Sequence, residues 1–220
     1  MSRELVIFGA GDIARLACHY FTHDSPHTVA GFTVDSQYRS AESFLDRPVV
    51  DFSEVTQRYP PDRFEMFVAL SYTRMNHARA EKYEQAKALG YRLATYVSSK
   101  CTWLAADRPG DNCLILEDNT VQPFVRIGNN VTLWSGNHIG HDSTIDDHCF
   151  ISSHVVVSGH VHVQPYCFIG VNATLRNGLT IAPETLIGAG AIIMKDTEPK
   201  SVYVPERTPL FPKTSDKVKL

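Results

Sequence analysis

Two short constellations in this chain have residue types that can do chemistry. The first is Gly9-x-Gly11-x-x-Ala14, directly after the apolar run at residues 5–8. Closely spaced glycines between a strand and a helix let the backbone approach a phosphate. The helix N-terminus then supplies N–H donors and a partial positive charge. Asp35, at the end of the next predicted strand, stands where a carboxylate reaches a ribose hydroxyl. The pattern suits a nucleoside diphosphate; the alternative is a tight turn needed only for packing. The second constellation is Asn137-His138-Ile139-Gly140-His141-Asp142. A positioned imidazole takes the proton of an attacking amine or hydroxyl, and acyl transfer pairs such a base with an N–H donor for the developing oxyanion.

The periodicity around His141 supplies a candidate donor. Isoleucine, leucine or valine falls on every sixth residue from Ile115 through Val121, Ile127, Leu133 and Ile139 to Ile193, without exception. Four residues after most of these stands a small residue such as Ser143, Cys149, Ala173 or Thr185. Helices repeat at 3.6 and strands at 2, so a strict period of six is the hexapeptide signature of a parallel β-helix. Three hexads close one triangular coil, and equivalent positions of successive coils stack at roughly the 4.8 Å strand spacing. Gly159 stands one full coil after His141, so its N–H is the expected oxyanion donor.

Six histidines fall within the repeat: His138, His141, His148, His154, His160 and His162. None has another histidine one coil away, and His154 and His160 take equivalent places on adjacent faces and diverge. A metal would need ligands from two subunits, as in the γ-class carbonic anhydrases, whose two histidines five residues apart have no counterpart here. No metal is expected.

Three segments must carry these groups. Residues 1–100 alternate strands (5–8, 28–34, 48–50, 64–70, 93–97) with helices, which gives a small doubly wound α/β unit. Asn76 is the predicted N-cap of a helix that Gly90 stops. Residues 101–112 form a junction, residues 113–198 the β-helix, and residues 199–220 an extended tail with Pro205, Pro209 and Pro212. The net charge of −3 leaves no basic footprint for nucleic acid. No apolar run approaches the ~20 residues of a membrane span. Five scattered cysteines without a CxxC pair point to a reducing cytoplasm, with Cys149 and Cys167 stacked as small buried groups.

A short Rossmann-like unit, hexapeptide repeats containing Ile139-Gly140-His141-Asp142, and the late run Ile187-Gly188-Ala189-Gly190-Ala191 resemble the bacterial sugar acyltransferases of the sialic acid O-acetyltransferase and nucleotide-amino-sugar N-acetyltransferase type. The resemblance covers nearly all of residues 1–198. It implies a left-handed β-helix, a homotrimer, acetyl-CoA as co-substrate in the groove between subunits, and a nucleotide-linked sugar held by the first unit. It matches His141 to the general base and Gly159 to the glycine whose amide faces the thioester carbonyl. Gly170, Val171, Gly188, Ala189 and Gly190 match the backbone that runs beside pantetheine. Gly9, Gly11, Asp12 and Asp35 match the nucleotide-sugar end. The chain departs at Gly140, where those enzymes carry an acidic residue that orients the base, at Trp134, where they carry Asn, and at Gly11-Asp12-Ile13-Ala14, where they carry Gly-Gly-His-Gly. Asp142, or His138 or Asn137 of a neighbouring subunit, is left to orient His141, and His138 is a candidate on the acceptor side. Trp134 and the loop bearing His138 are expected at the trimer interface. The expected activity is acetyl transfer to an amine or hydroxyl of a sugar. The alternatives are a non-catalytic nucleotide-sensing or scaffold trimer and a metal enzyme like the γ-class carbonic anhydrases.

Overall fold

The computed structural model describes residues 3–218, so Met1 and Ser2 and the end of the tail, Lys219 and Leu220, lie outside it. The first unit contains β1 (Arg3–Phe8), α1 (Asp12–His23), β2 (His27–Val34), β3 (Ser43–Phe44), β4 (Arg47–Asp51), α2 (Val55–Arg58), β5 (Phe64–Val68) and α3 (His77–Ala88). Its sheet has the order β3-β4-β2-β1-β5, parallel except for the β3 edge. Leu5, Val6, Ile7 and Phe8 are all buried because helices cover both faces, the setting that makes a parallel strand uniformly apolar. α1 lays Ala14, Ala17, Cys18 and Phe21 against Leu5, Ile7 and Phe32. α3 sets Tyr83 and Ala86 against Val6, Met66 and Val68 on the opposite face.

The second unit is a left-handed β-helix of three parallel sheets. Leu114–Ile115 pairs with Thr132–Leu133, and that pair with Phe150–Ile151, each partner one full coil further along the chain. The same offset joins His138–Ile139 to Val156–Val157 on the second face and Arg126–Ile127 to Thr144–Ile145 on the third. The aliphatic member of each hexad fills the prism: Ile115, Leu133, Ile139, Ile145, Ile151 and Val157 are fully buried. Cys149 and Cys167 point inside as well, free and buried.

Each corner is turned by a residue in left-handed backbone. Asp118, Phe124, Asn130, Asp142, His148, His154, His160, Tyr166 and Asn172 have φ between 55° and 67°. Asn, Asp and His enter that region more readily than most residues. The six-residue spacing of His148, His154 and His160 therefore meets a backbone demand.

Strand pairing carries the solenoid beyond residues 113–198. Tyr96–Val97 and Thr102–Trp103 pair with Leu114–Ile115 and Thr120–Val121, so the expected junction is already coil. At the other end Val202–Tyr203 pairs with Leu186–Ile187. That last step falls two positions short of a full coil, which breaks the period and hides the strand from a hexad reading. The expected final strand of the first unit, residues 93–97, is divided between the two units. Leu93 bridges to Met66 while Tyr96 joins the solenoid. Residues 204–218 are exposed and form no strand, with a single turn of 3₁₀ helix at Ser215–Lys217.

Asn76 corrects a second expectation. It occupies the N-cap position with φ +66°, but its side chain caps nothing in α3. Its Nδ2 donates instead to the carbonyls of Tyr166 and Cys167 on the solenoid, at 3.3 and 3.2 Å. Arg79, 2% exposed, does similar work one turn later. It donates to Asn130 Oδ1 and to the carbonyls of Asn130, His148 and Cys149 at 3.2 Å, and to Ser71 O at 3.1 Å. Burial pushes its guanidinium down to about 10, still charged at neutral pH. These two side chains lock α3 onto the solenoid, while Leu114, Leu116 and Trp134 join the core under α1.

Candidate functional site

The glycine turn after β1 is built as its sequence requires, and its two glycines differ. Gly9 has φ +120°, donates to Thr33 O at 2.8 Å, and would place a Cβ 2.8 Å from Ala69 O. The fold itself demands a glycine there. Gly11 has no such reason, since a Cβ at that position meets nothing within 4 Å. The open space above it belongs to a cleft of about 630 Å³. One wall is residues 9–13 and Ser71; the other is Trp134, Phe150, Ser152, Ser153 and Val171 of the solenoid. A second cleft of about 600 Å³ shares Gly9, Ala10, Leu70 and Ser71 with it and continues to Asp35, Tyr38, Arg74 and Lys82. Asp35 Oδ1 accepts from Lys82 Nζ at 2.7 Å, and the ammonium also lies 4.4 Å from the Phe52 ring centre. Asp12 is exposed in the first turn of α1 and pairs with Arg15 at 3.2 Å. Gly9, Gly11, Asp12 and Asp35 thus line one continuous groove.

Trp134 lines this groove and packs against the first unit. Within the chain its ring is partly buried against the core under α1, because the first face of the solenoid is the docking face. Its indole N–H is buried and has no partner among the described residues.

His141 stands at a different corner, between the second and third faces. Its Nδ1 lies 2.8 Å from Asp142 Oδ2, which fixes the ring and leaves Nε2 as the free nitrogen. That nitrogen faces Gly159, where a Cβ would lie 2.7 Å from it. Among the described residues none accepts from the Gly159 N–H, although Ser158 and His160 beside it donate to Leu175 and His141. Asn177, one further coil on, donates its amide to Gly159 O at 2.8 Å in the orientation that makes both its hydrogen bonds. The stacking of coils thus places the imidazole beside the residue whose amide is unused. Asp142 is the acidic group beside the ring, and Gly140 has no room for a side chain, since a Cβ would lie 2.5 Å from Ser158 C.

His160 lies beside this corner, although no other histidine stands one coil from it. It stands one coil after Asp142, so its Nε2 is 4.0 Å from Asp142 Oδ2, and its ring meets that of His141 at 5.0 Å. His154 and His160 do stand at successive corners. His141 and His160 meet through Asp142.

Gly170, Val171, Gly188, Ala189 and Gly190 lie at the corner between the first and second faces, apart from His141. Val171 lines the groove, 43% exposed. Gly170 is held by the next coil, where a Cβ would lie 2.6 Å from Ala189 N. His138 is half-buried on the second face, between the two corners. Within one chain, the width of that face separates the groove from His141. Its outward residues include the exposed Val156 (39%) and Ile192 (68%).

Residues 124–159 match the family described as bacterial transferase hexapeptide (six repeats). Over 94 residues the chain is 31% identical to an acyl-[acyl-carrier-protein]--UDP-N-acetylglucosamine O-acyltransferase from Pseudomonas aeruginosa, a match that covers 40% of this chain and 36% of that protein. The chain thus spans little more than a third of the length of the curated relatives it matches. Among solved structures it is similar to the acetyltransferase domain of PglB from Neisseria gonorrhoeae in complex with acetyl coenzyme A, with 21% identity, 92% of this chain and 96% of that one covered, and a TM-score of 0.76. It is similar also to PerB from Caulobacter crescentus in complex with CoA and GDP-perosamine, with 21% identity, 90% and 92% covered, and a TM-score of 0.79. The shared property is the fold, and the coverage takes in both of its units.

Proposed function

We propose that this protein transfers an acetyl group from acetyl-CoA to an amine, or a hydroxyl, of a nucleotide-linked sugar. The observation that carries the reading is the His141 corner. Asp142 holds Nδ1, Nε2 faces Gly159, and among the described residues none accepts from the Gly159 N–H. The acceptor attacks the thioester carbonyl directly. His141 Nε2 takes its proton, and the Gly159 N–H binds the oxyanion of the tetrahedral intermediate. Collapse breaks the C–S bond, and the CoA thiolate leaves with the proton returned from His141. The groove running from Asp35 past Gly11 to Trp134 holds the nucleotide sugar, its diphosphate over the open space at Gly11.

Groove and base lie at different corners of one chain, so the working site is shared between copies. We place the second-to-third corner of one subunit against the first-to-second corner of the next in a cyclic trimer. That arrangement covers Val156 and Ile192 and brings Gly170, Val171 and residues 188–190 opposite a neighbour's His141. The test is CoA release from acetyl-CoA, followed with a thiol reagent, across UDP-, GDP- and dTDP-linked amino sugars. Acceptor-dependent thiol release with at least one of them is expected; thiol at the background rate with every acceptor rejects the reading in favour of a non-catalytic nucleotide-binding trimer.

A further inference from the structure

We infer that His141, Asp142 and His160 form a zinc site whose occupation switches off His141 as a base. One donor atom from each residue lies within 4.8 Å of those of the other two. Two imidazoles and a carboxylate are a donor set that zinc favours, at about 2.0–2.2 Å from the metal. Donors around one ion then stand about 3.3–3.5 Å apart. The 2.8 Å contact between His141 and Asp142 must therefore open slightly, and the 4.0 Å gap from His160 to Asp142 must close. In the single chain the three side chains are 51%, 41% and 57% exposed, which leaves room within the chain for that adjustment. Their backbones are already fixed in register. Asp142 and His160 hold the same corner position in adjacent coils, with φ 58° and 57°, and His160 N donates to His141 O at 2.9 Å.

The consequence for His141 follows from the chemistry of imidazole. A metal on Nδ1 replaces the contact to Asp142 and leaves the ring's one proton on Nε2, the nitrogen that faces Gly159. A metal on Nε2 occupies that nitrogen outright. In both cases the ring can no longer accept a proton from an acceptor. The ion is an antagonist of transfer, and His160 serves only the ion.

The inhibition rests on the proposed role of His141, whereas metal binding does not, and the experiment separates them. Tag-free, chelator-treated full-length protein is titrated with zinc chloride in a calorimeter, for the wild type, His160→Gln and Asp142→Asn. We expect the wild type to bind one ion per chain more than either variant, or at least about 10-fold more tightly. The adjacent His19 and His23 on α1 act as an internal reference, since an ion held there binds all three proteins alike. Cobalt(II) in place of zinc should give a visible absorption band in the wild type that is lost in His160→Gln. In the turnover assay zinc should inhibit the wild type reversibly, with recovery on adding EDTA. His160→Gln should keep its metal-free rate and resist zinc. Equal zinc stoichiometry and affinity in all three proteins overturns the site. Zinc binding that His160→Gln abolishes, with wild-type turnover untouched at saturating metal, overturns the switch and leaves the site.

Discussion

Replacing Gly159 with alanine perturbs the His141 corner by a single methyl group. The new Cβ lies 2.7 Å from His141 Nε2 and 2.9 Å from Cε1. Comfortable non-bonded contacts begin near about 3.5 Å, so the ring must retreat by roughly 0.8 Å. The ring can do so because it tips an exposed side chain, and the Gly159 backbone does not lie in the left-handed region. The coil therefore stays intact while the base moves. A misplacement on the order of 1 Å costs about 10²-fold in rate, equivalent to about 2.7 kcal/mol of barrier. We expect kcat for acetyl transfer to fall about 10²-fold, with the thermal midpoint close to that of the wild type. The assay is the initial rate of CoA release at saturating nucleotide sugar, run beside thermal unfolding. A folded Gly159→Ala enzyme with unchanged kcat refutes the idea that the reacting atoms sit between Nε2 and the Gly159 amide.

The two glycines of the β1–α1 turn should separate stability from binding. Gly9→Ala forces a side chain into left-handed backbone against Ala69 O and should cost about 1–3 kcal/mol in chemical denaturation. Gly11→Val should leave the thermal midpoint alone and weaken nucleotide-sugar binding at least about 10-fold by calorimetry, with acetyl-CoA binding unchanged; equal loss of both ligands means misfolding. Arg79→Met removes the charged donor shared by three solenoid carbonyls and should cost at least about 1.5–3 kcal/mol in urea unfolding, whereas an unchanged midpoint means that the contact is idle. Burial first, then the nearby Arg79 and His77 charges, holds His148 below its ordinary value of 6.5. Between those two values the unfolded chain binds the extra proton, so stability should fall as pH drops below about 6.5. His148→Asn should flatten that limb in urea titrations at pH 7.5 and 5.5, and a limb of unchanged slope excludes His148 as its source.

Most of the solenoid is legible in the sequence because one physical rule repeats. The three-hexad coil fixes which side chains point inward and which stack. That rule places Gly159 beside His141, and it would have found His160 over Asp142 had carboxylates been paired along with histidines. It fails where the offset changes, as at Val202–Tyr203, and where a strand precedes the aliphatic series, as at Tyr96–Val97. The glycine turn was legible because Gly9 needs positive φ, yet only the structure distinguishes it from Gly11, whose glycine opens onto the groove. Contacts between the two units carry no period. Asn76 reads as a cap because its type and position suit one; its amide leaves the helix because solenoid carbonyls lie within reach. No periodic signal marks Arg79, and its burial follows from the docking of α3 against the corner at Asn130 and His148.

The central claim is that His141 is the base of an acetyl transfer, and His141→Ala tests it most directly. Acetyl-CoA affinity and kcat are measured on the same folded preparation, with the acetylated nucleotide sugar identified by mass spectrometry. The account predicts wild-type acetyl-CoA affinity and a kcat lower by about 10²–10⁴-fold, the usual contribution of a positioned base. His148→Ala and His162→Ala, measured alongside, should cost far less. A fully active His141→Ala enzyme would contradict the assignment and move the search to His138 on the adjoining face.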